Sequence, residues 1–151
     1  MTRNSSVNAS LPARITKVDL AKALAKAWTR QTSYDPARWS ADNPAWGQCA
    51  ISALVAQDVL GGSLLVGEFN GIQHYWNLLP NNRQLDLTKH QFGRVRSFQG
   101  PRRVERGYVL SFPDTQKRYE VLRRVVLAEL ESCPSSRSGP RNGFFALPRT
   151  P

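Results

Sequence analysis

The chain is poor in the residues that cross-link small proteins or hold metal ions. It has only two cysteines, Cys49 and Cys133, and two histidines in 151 residues. A disulfide framework is therefore not expected. A zinc site built from these cysteines with His74 and His90 would lack the short paired spacings that structural zinc sites use. The sequence also has no P-loop and no glycine-rich dinucleotide turn, so it predicts neither a metal nor a cofactor.

Long apolar runs are missing as well. No stretch approaches the roughly 18 consecutive apolar residues that a membrane span needs, and the N-terminus lacks the apolar segment of a signal peptide. With 40% hydrophobic and 21% charged residues, the chain has the composition of one folded domain with its own core. We expect a cytoplasmic protein without a membrane partner.

Acidic residues are scarce toward the C-terminus. Of the net charge of +10, most belongs to residues 93–151, which carry 12 basic and 5 acidic side chains. Such a field favours anionic partners. Arginines in this region could bind the phosphates of a nucleic acid. Because the sequence has no RNA-binding motif, we favour the alternative that these arginines lie in a solvated surface loop. The arginines concerned are Arg94, Arg96, Arg102, Arg103 and Arg106.

Hydrophobic periodicity divides the chain into a flexible lead over residues 1–13, a single globular domain over 14–131 and a disordered basic tail over 132–151. Amphipathic helices are predicted at both ends of the domain: one behind a capping box of Thr16 and Asp19, the other over 114–131. Residues 48–60 are apolar around nearly the whole circumference, which is typical of a buried helix.

Three strand-like runs follow, over residues 63–69, 72–79 and 83–88. Asn70-Gly71 is a hairpin signal, and residues 80–82 suit a tight turn. We interpret 91–107 as a long surface loop and 108–112 as a short strand. The sequence thus predicts an α+β fold: a buried central helix packed on an antiparallel sheet of three or four strands, flanked by amphipathic helices.

Cys49 opens the buried helix, where the peptide dipoles favour a thiolate. A lone cysteine on an apolar helix is usually an inert core thiol, but a nucleophile with a base behaves differently. His74 is the better base because a strand fixes its ring, whereas His90 lies beyond the last strand. The ordered series of cysteine, histidine and aspartate favours a catalytic interpretation.

Asp86 is the predicted partner that orients His74. Residues 74 and 77 point to opposite faces of a strand, so Asn77 does not easily reach the imidazole. If the turn over 80–82 has three residues, with Asn82 in a left-handed conformation, Asp86 lies diagonally across from His74 on one face. A two-residue turn would move Asp86 to the other face.

Supporting residues can also be named. The oxyanion hole would use the Cys49 amide together with a side-chain donor from Gln48 or Asn43, and Asn77 is a further support candidate. Trp46 and Trp76 would wall a dry substrate cleft.

Several runs together resemble the YunG-like family of small bacterial proteins, over residues 15–130. The runs are 43–50 (NPAWGQCA), 57–62 (QDVLGG), 74–77 (HYWN), 86–88 (DLT) and 91–92 (QF).

The order of cysteine helix, histidine strand and aspartate strand is also similar to the layout of papain-like thiol hydrolases, and this second resemblance implies a compact papain-like core. We expect thiol-dependent peptidase, deamidase or acyltransferase chemistry on a protein or a small amide or thioester. The alternative is a non-catalytic basic module that binds nucleic acid or an acidic partner.

Overall fold

The structure is a computed structural model that describes residues 14–94 and 97–133. The predicted flexible lead, and the predicted tail from residue 134 onward, lie outside the described residues. In the described part of the chain, no helix is long and apolar enough to cross a membrane.

Helix α1 spans Lys17–Ala27 and starts where its capping residues require. The hydroxyl of Thr16 accepts a hydrogen bond from the Asp19 amide, and the Asp19 carboxylate accepts one from the Thr16 amide at 2.9 Å. Both donors would otherwise be unpaired at the helix start. The predicted capping box is therefore confirmed.

Helix α2, Cys49–Leu60, is the centre of the fold. Its residues 51–56 are all buried, and it contacts α1, the helix over 113–132 and the sheet. It ends at Gly61, whose φ of 73° lies in the region that glycine enters without steric cost. The predicted buried helix is confirmed, with its first residue at Cys49.

A four-stranded antiparallel sheet packs against α2, in the order β3-β2-β1-β4. The strands are β1 (Ser63–Phe69), β2 (Ile72–Leu78), β3 (Gln84–Leu85) and β4 (Gln99–Val104). Asn70 and Gly71 both have positive φ values, as a tight hairpin turn requires. The α+β class and the antiparallel sheet are confirmed.

The turn between β2 and β3 has the three-residue form. The Leu79 amide donates to the Arg83 carbonyl at 2.9 Å, and Asn82 has a φ of 62°. Strand β3 is shorter than the predicted strand over 83–88, because the Asp86 carboxylate accepts a hydrogen bond from the Thr88 amide and turns the chain away.

The interpretation of residues 91–107 as a loop is wrong in part. A short 3-10 helix, Lys89–Phe92, reaches into the region, and β4 pairs with β1 through a bulge between Val66 and Glu68. Strand β4 shows no apolar alternation because five of its six residues are exposed. As an edge strand it also accommodates Pro101.

The predicted strand over 108–112 is wrong. Residues 108–110 belong to helix α3, Arg106–Leu110, and Ser111 and Phe112 connect it to α4, Pro113–Ser132. Short apolar runs are ambiguous between helix and strand. Here Val109 is buried while Tyr108 and Phe112 are exposed, and the rings of this i, i+4 pair contact each other with centroids 5.4 Å apart.

The two faces of the sheet have different partners. On one face Asn77 of β2 contacts α2, through a hydrogen bond to the Ala53 carbonyl. On the opposite face His74 packs against Phe92, which ends the 3-10 helix, and both His74 and Trp76 pack against Phe98, which precedes β4. Cys49 belongs to α2, which packs on the Asn77 face of β2, whereas the His74 side chain projects from the opposite face.

Candidate functional site

Cys49 is half-buried and lines a cleft of about 660 Å³. It is the first residue of α2, directly after Gln48. Within residues 14–94 and 97–133, no group accepts a hydrogen bond from the Cys49 amide. The nucleophile candidate therefore lies at a helix start, where unpaired amides favour negative charge.

His74 occupies the middle of β2, opposite Gly67 on β1, and is fully buried. Its ring stacks on Phe98 at a centroid distance of 4.3 Å and contacts the edge of Phe92 at 5.1 Å. Gly67 makes room for this stack, since a Cβ there would lie 2.9 Å from the Phe98 Cβ and 2.9 Å from the Trp76 ring. The imidazole is held by aromatic packing.

Asp86 is hydrogen-bonded to His74, as predicted from the placement of both side chains on one face of the sheet. One carboxylate oxygen lies 2.7 Å from His74 Nε2, and the other accepts the Thr88 amide at 3.2 Å. The register of β2 with β3, extended by one pair, sets Asp86 opposite Trp76 and diagonal to His74. The three-residue turn thus delivers the aspartate, and the Thr88 amide fixes its orientation.

The electrostatics favour a protonated imidazole. Burial lowers the pKa of His74, but hydrogen bonds and charge attraction from Asp86 and Cys49 outweigh this effect and raise that pKa to about 9. The negative charge of Cys49 also adds to burial in raising the pKa of Tyr75. Both shifts place Cys49 within electrostatic reach of the β2 side chains.

Gln91 is a site residue to which the sequence analysis assigned no role. Its side-chain oxygen accepts the Gly47 amide at 3.1 Å, and its nitrogen donates to the Thr88 carbonyl at 3.0 Å. The same nitrogen lies 3.4 Å from His74 Nδ1. Gln91 thus bonds to the turn before Cys49 and lies beside the imidazole. The signal was the run Gln91-Phe92, which the family resemblance contains.

Cys49 is electrostatically coupled to His74 although α2 and the imidazole lie on opposite faces of β2. Helix α2 contacts the face of β2 that carries Asn77, whereas His74 projects from the opposite face. Asp86 occupies Nε2, and Nδ1 lies 3.4 Å from the Gln91 side-chain nitrogen, so any contact of the imidazole with Cys49 is at Nδ1 beside Gln91. Strand β3 pairs only with Asn77 and Leu78, so the edge of β2 beside His74 has no neighbouring strand in the described residues.

The side chains predicted to form or support the oxyanion hole donate hydrogen bonds to main-chain carbonyls of the fold. Gln48 is fully buried and donates from Nε2 to the Thr29 carbonyl at 2.9 Å, while its Oε1 has no hydrogen-bond partner in the described residues. Asn43 donates to the Gln91 carbonyl at 3.0 Å. Asn77 donates to the Ala53 carbonyl at 2.8 Å and holds α2 on the sheet. Each of the three side-chain nitrogens thus donates one hydrogen bond within the fold.

The two tryptophans differ in position. Trp46 lines the cleft, with the Arg38 guanidinium 4.4 Å from the ring centroid. Trp76 is only 5% exposed, donates to the Gln84 side chain at 2.8 Å and lies behind His74, outside the cleft lining. The prediction that Trp76 walls the cleft is wrong because the same face alternation that buries His74 buries Trp76.

The remaining candidates are dispersed. His90 is exposed and lies beside Trp28, and Cys133 is exposed at the end of α4. Over residues 14–94 and 97–133, no group of three or more histidine, cysteine or acidic side chains could hold a metal ion.

The predicted basic cluster is also divided. Arg106 pairs with Asp58 at 2.9 Å, whereas Arg94, Arg102 and Arg103 are exposed. Arg96 lies outside the described residues. Three of the five arginines thus remain on an open surface, and the fourth described one is committed to an ion pair.

Fold and site together define a class of α+β protein in which a cysteine at a helix start lines a cleft and a buried histidine is hydrogen-bonded to an aspartate. The sequence pattern of the family described as "YunG protein" matches residues 16–131, so the chain belongs to the YunG family. It is similar to "Uncharacterized protein YunG" of Bacillus subtilis (strain 168), with 28% identity over 110 residues that cover 72% of this chain and 90% of that protein. No solved structure matches the chain, and the papain-like core stays a prediction.

Proposed function

We propose that the protein is a thiol-dependent acyl-transfer enzyme, of the peptidase, deamidase or acyltransferase type, in which Cys49 is the nucleophile. The observation that carries the proposal is the buried His74, held by Asp86 at 2.7 Å and electrostatically coupled to a cysteine that lines a cleft. A buried imidazole with a raised pKa and two acidic partners is typical of an activated nucleophile. A compact papain-like layout is part of the same proposal.

In the first step, the Cys49 thiolate attacks the carbonyl carbon of an amide or thioester. The C–S bond forms, and the electron pair of the carbonyl moves to its oxygen. His74, protonated at Nδ1 by the cysteine proton, then gives that proton to the leaving amine or thiol as the C–N or C–S bond breaks. Asp86 accepts the Nε2–H bond and stabilises the imidazolium throughout.

In the second step, water or another nucleophile attacks the thioester on Cys49. His74 takes its proton and returns it to the departing Cys49 sulfur, so that the free enzyme is restored. Water gives hydrolysis or deamidation, and an amine or alcohol gives acyl transfer. The choice among them depends on what else binds in the cleft.

The developing oxyanion is assigned to the Cys49 amide at the start of α2. This amide has no acceptor within the described residues, and the helix dipole adds positive potential at the same point. Gln48 and Asn43 do not take part in the proposal, because their side-chain nitrogens donate to Thr29 and Gln91 carbonyls. The enzyme would therefore rely on main-chain donors.

An activated thioester tests the proposal. In a Cys133→Ser background, S-phenyl thioacetate should acylate Cys49 and release thiophenol with turnover, as followed by intact mass and by thiol release. His74→Ala should lose turnover, whereas His90→Ala, the matched control at the other histidine, should keep it. Acylation no faster than that of the denatured chain would overturn the proposal.

A second candidate function is binding of an anionic polymer by the exposed arginines of β4. Arg102 and Arg103 occupy an edge strand that is almost wholly exposed, where phosphates could be contacted without sequence readout. Retention on a nucleic-acid column that falls steeply with salt, and that is lost in Arg102→Ala/Arg103→Ala, would support it. Retention unchanged in that variant would exclude this surface.

A further inference from the structure

Main-chain hydrogen-bonding groups of β2 point alternately to its two sides. Across the turn to β3, Leu79 donates to Arg83, so odd-numbered residues of β2 direct their amide and carbonyl groups away from β1. Gln73 is such a residue. Since β3 reaches only Asn77 and Leu78, the register within residues 14–94 and 97–133 gives Gln73 no strand partner on that side.

This open edge lies in the cleft that contains Cys49. Gln73 is exposed, lines that cleft and directly precedes His74. One donor and one acceptor, fixed by strand geometry, thus point outward beside the proposed nucleophile. Unpaired edges of this kind are templates for an added strand.

The rim of the cleft is apolar. Tyr34 is 76% exposed, Phe112 47% and Ile72 40%, and all three line the cleft. These are among the large hydrophobic side chains that the fold leaves in solvent, and their concentration at one cleft is typical of a binding surface. The acidic residues of the rim are already engaged: Asp35 lies 3.9 Å from Arg38, and Asp114 pairs with Arg118 at 2.7 Å.

We propose that the cleft binds an extended polypeptide segment, which adds to the open edge of β2 and exchanges main-chain hydrogen bonds with Gln73. Apolar side chains of this segment pack against Ile72 and Phe112, and the strand alignment brings one of its carbonyls to Cys49. The inference rests on the proposed function and selects its substrate class. A small free amide has no repeating main chain with which to use the edge.

The test compares two electrophiles on Cys49 in a Cys133→Ser background. A blocked Ala-Leu-Ala acyloxymethyl ketone probes peptide recognition, and iodoacetamide reports the reactivity of the thiol itself. We expect the labelling rate of the peptidyl probe, divided by the iodoacetamide rate of the same protein, to fall roughly tenfold when the peptide nitrogens of the probe are methylated. Gln73→Pro, which removes the outward amide and leaves the β1 ladder intact, should cause a similar loss.

Glu68→Ala is the matched control, because Glu68 pairs with Gln73 from β1, is exposed and does not line the cleft. Its peptidyl rate should stay within about twofold of the parent. If Gln73→Pro does not fold, the methylated probes on the parent protein still decide. Rapid iodoacetamide labelling with equal rates for parent and methylated peptides overturns the inference and leaves the thiol chemistry standing. Slow labelling by both reagents overturns the proposed function itself.

Discussion

The two halves of strand β2 serve different purposes. Its C-terminal half is paired on both sides, with β1 and β3, and its Asn77 binds the Ala53 carbonyl of the central helix. Its N-terminal half is paired with β1 alone and borders the cleft. Where the sheet is complete, polar side chains hold the fold together. Where it stops, a buried histidine can interact with a cysteine that approaches from the other face.

Under the proposed function, the short β3 leaves open the edge of β2 that borders the cleft. A strand that continued to pair along residues 73–75 would occupy this edge. Asp86 ends β3 by accepting the Thr88 amide and, with its other oxygen, binds His74. One carboxylate thus both ends the strand and orients the proposed base.

The largest expected effect concerns the charge of His74. In Asp86→Asn the carboxylate is lost but burial remains, so the pKa of His74 should fall from about 9 by roughly two pH units. The imidazole would then lose its proton near neutral pH, whereas in the parent it stays protonated until about pH 9. An NMR titration of the ring in a His90→Gln background measures this directly. An unchanged midpoint would contradict the assigned role of Asp86.

Asn77→Ala should affect stability and leave the site intact. It removes a buried hydrogen bond to the central helix, so the free energy of unfolding should fall by about 2 kcal/mol in denaturant titration. The iodoacetamide rate of the folded variant should remain within about twofold of the parent. A large loss of thiol reactivity without loss of stability would contradict the assignment of Asn77 to the half of β2 that only stabilises the fold.

Gly67→Ala should disturb the N-terminal half of β2 through the aromatic side chains that pack on His74. The added methyl group would meet Phe98 and Trp76 at 2.9 Å, and overpacking of this kind typically costs about 1.5 kcal/mol. Because Phe98 stacks on His74, we also expect slower labelling of Cys49. Normal stability with normal labelling would mean that the aromatic packing does not position the imidazole.

The smallest effect is expected at the turn that sets the register. Asn82→Ala places a side chain without local hydrogen-bonding capacity at a φ of 62°, at a cost of about 1 kcal/mol in unfolding free energy. Asn82→Gly should be close to neutral, since glycine adopts this conformation freely. Equal stabilities for the two variants would argue against a left-handed residue at this position.

The sequence was most informative where local rules decide the structure. The capping box at Thr16, the Asn70-Gly71 hairpin and the left-handed Asn82 are short-range signals, and they sufficed to bring Asp86 to His74 by strand parity. Residues 93–112 were harder to interpret. Strand β4 forms because β1 offers an edge, and α3 buries only Val109. Neither leaves a periodic pattern in its own sequence.

Side-chain amides were the least predictable part of the site. Gln48, Asn43 and Gln91 each suit an oxyanion hole by residue type, yet each one donates to a main-chain carbonyl of a distant or neighbouring loop. Amide groups bond wherever backbone is unpaired, and loop backbone cannot be located from periodicity. The same limitation concealed the position of Gln91, which bonds to the cysteine turn and lies beside the imidazole.

The central claim, that Cys49 and His74 form a coupled pair, is tested most directly by alkylation kinetics. Cys133→Ser and Cys133→Ser/His74→Ala are labelled with iodoacetamide from about pH 5 to about pH 9. We expect Cys49 to react roughly tenfold faster than glutathione at about pH 6.5 and to lose this advantage without His74. Slow labelling that is indifferent to the loss of His74 would contradict the account and leave Cys49 as a core thiol.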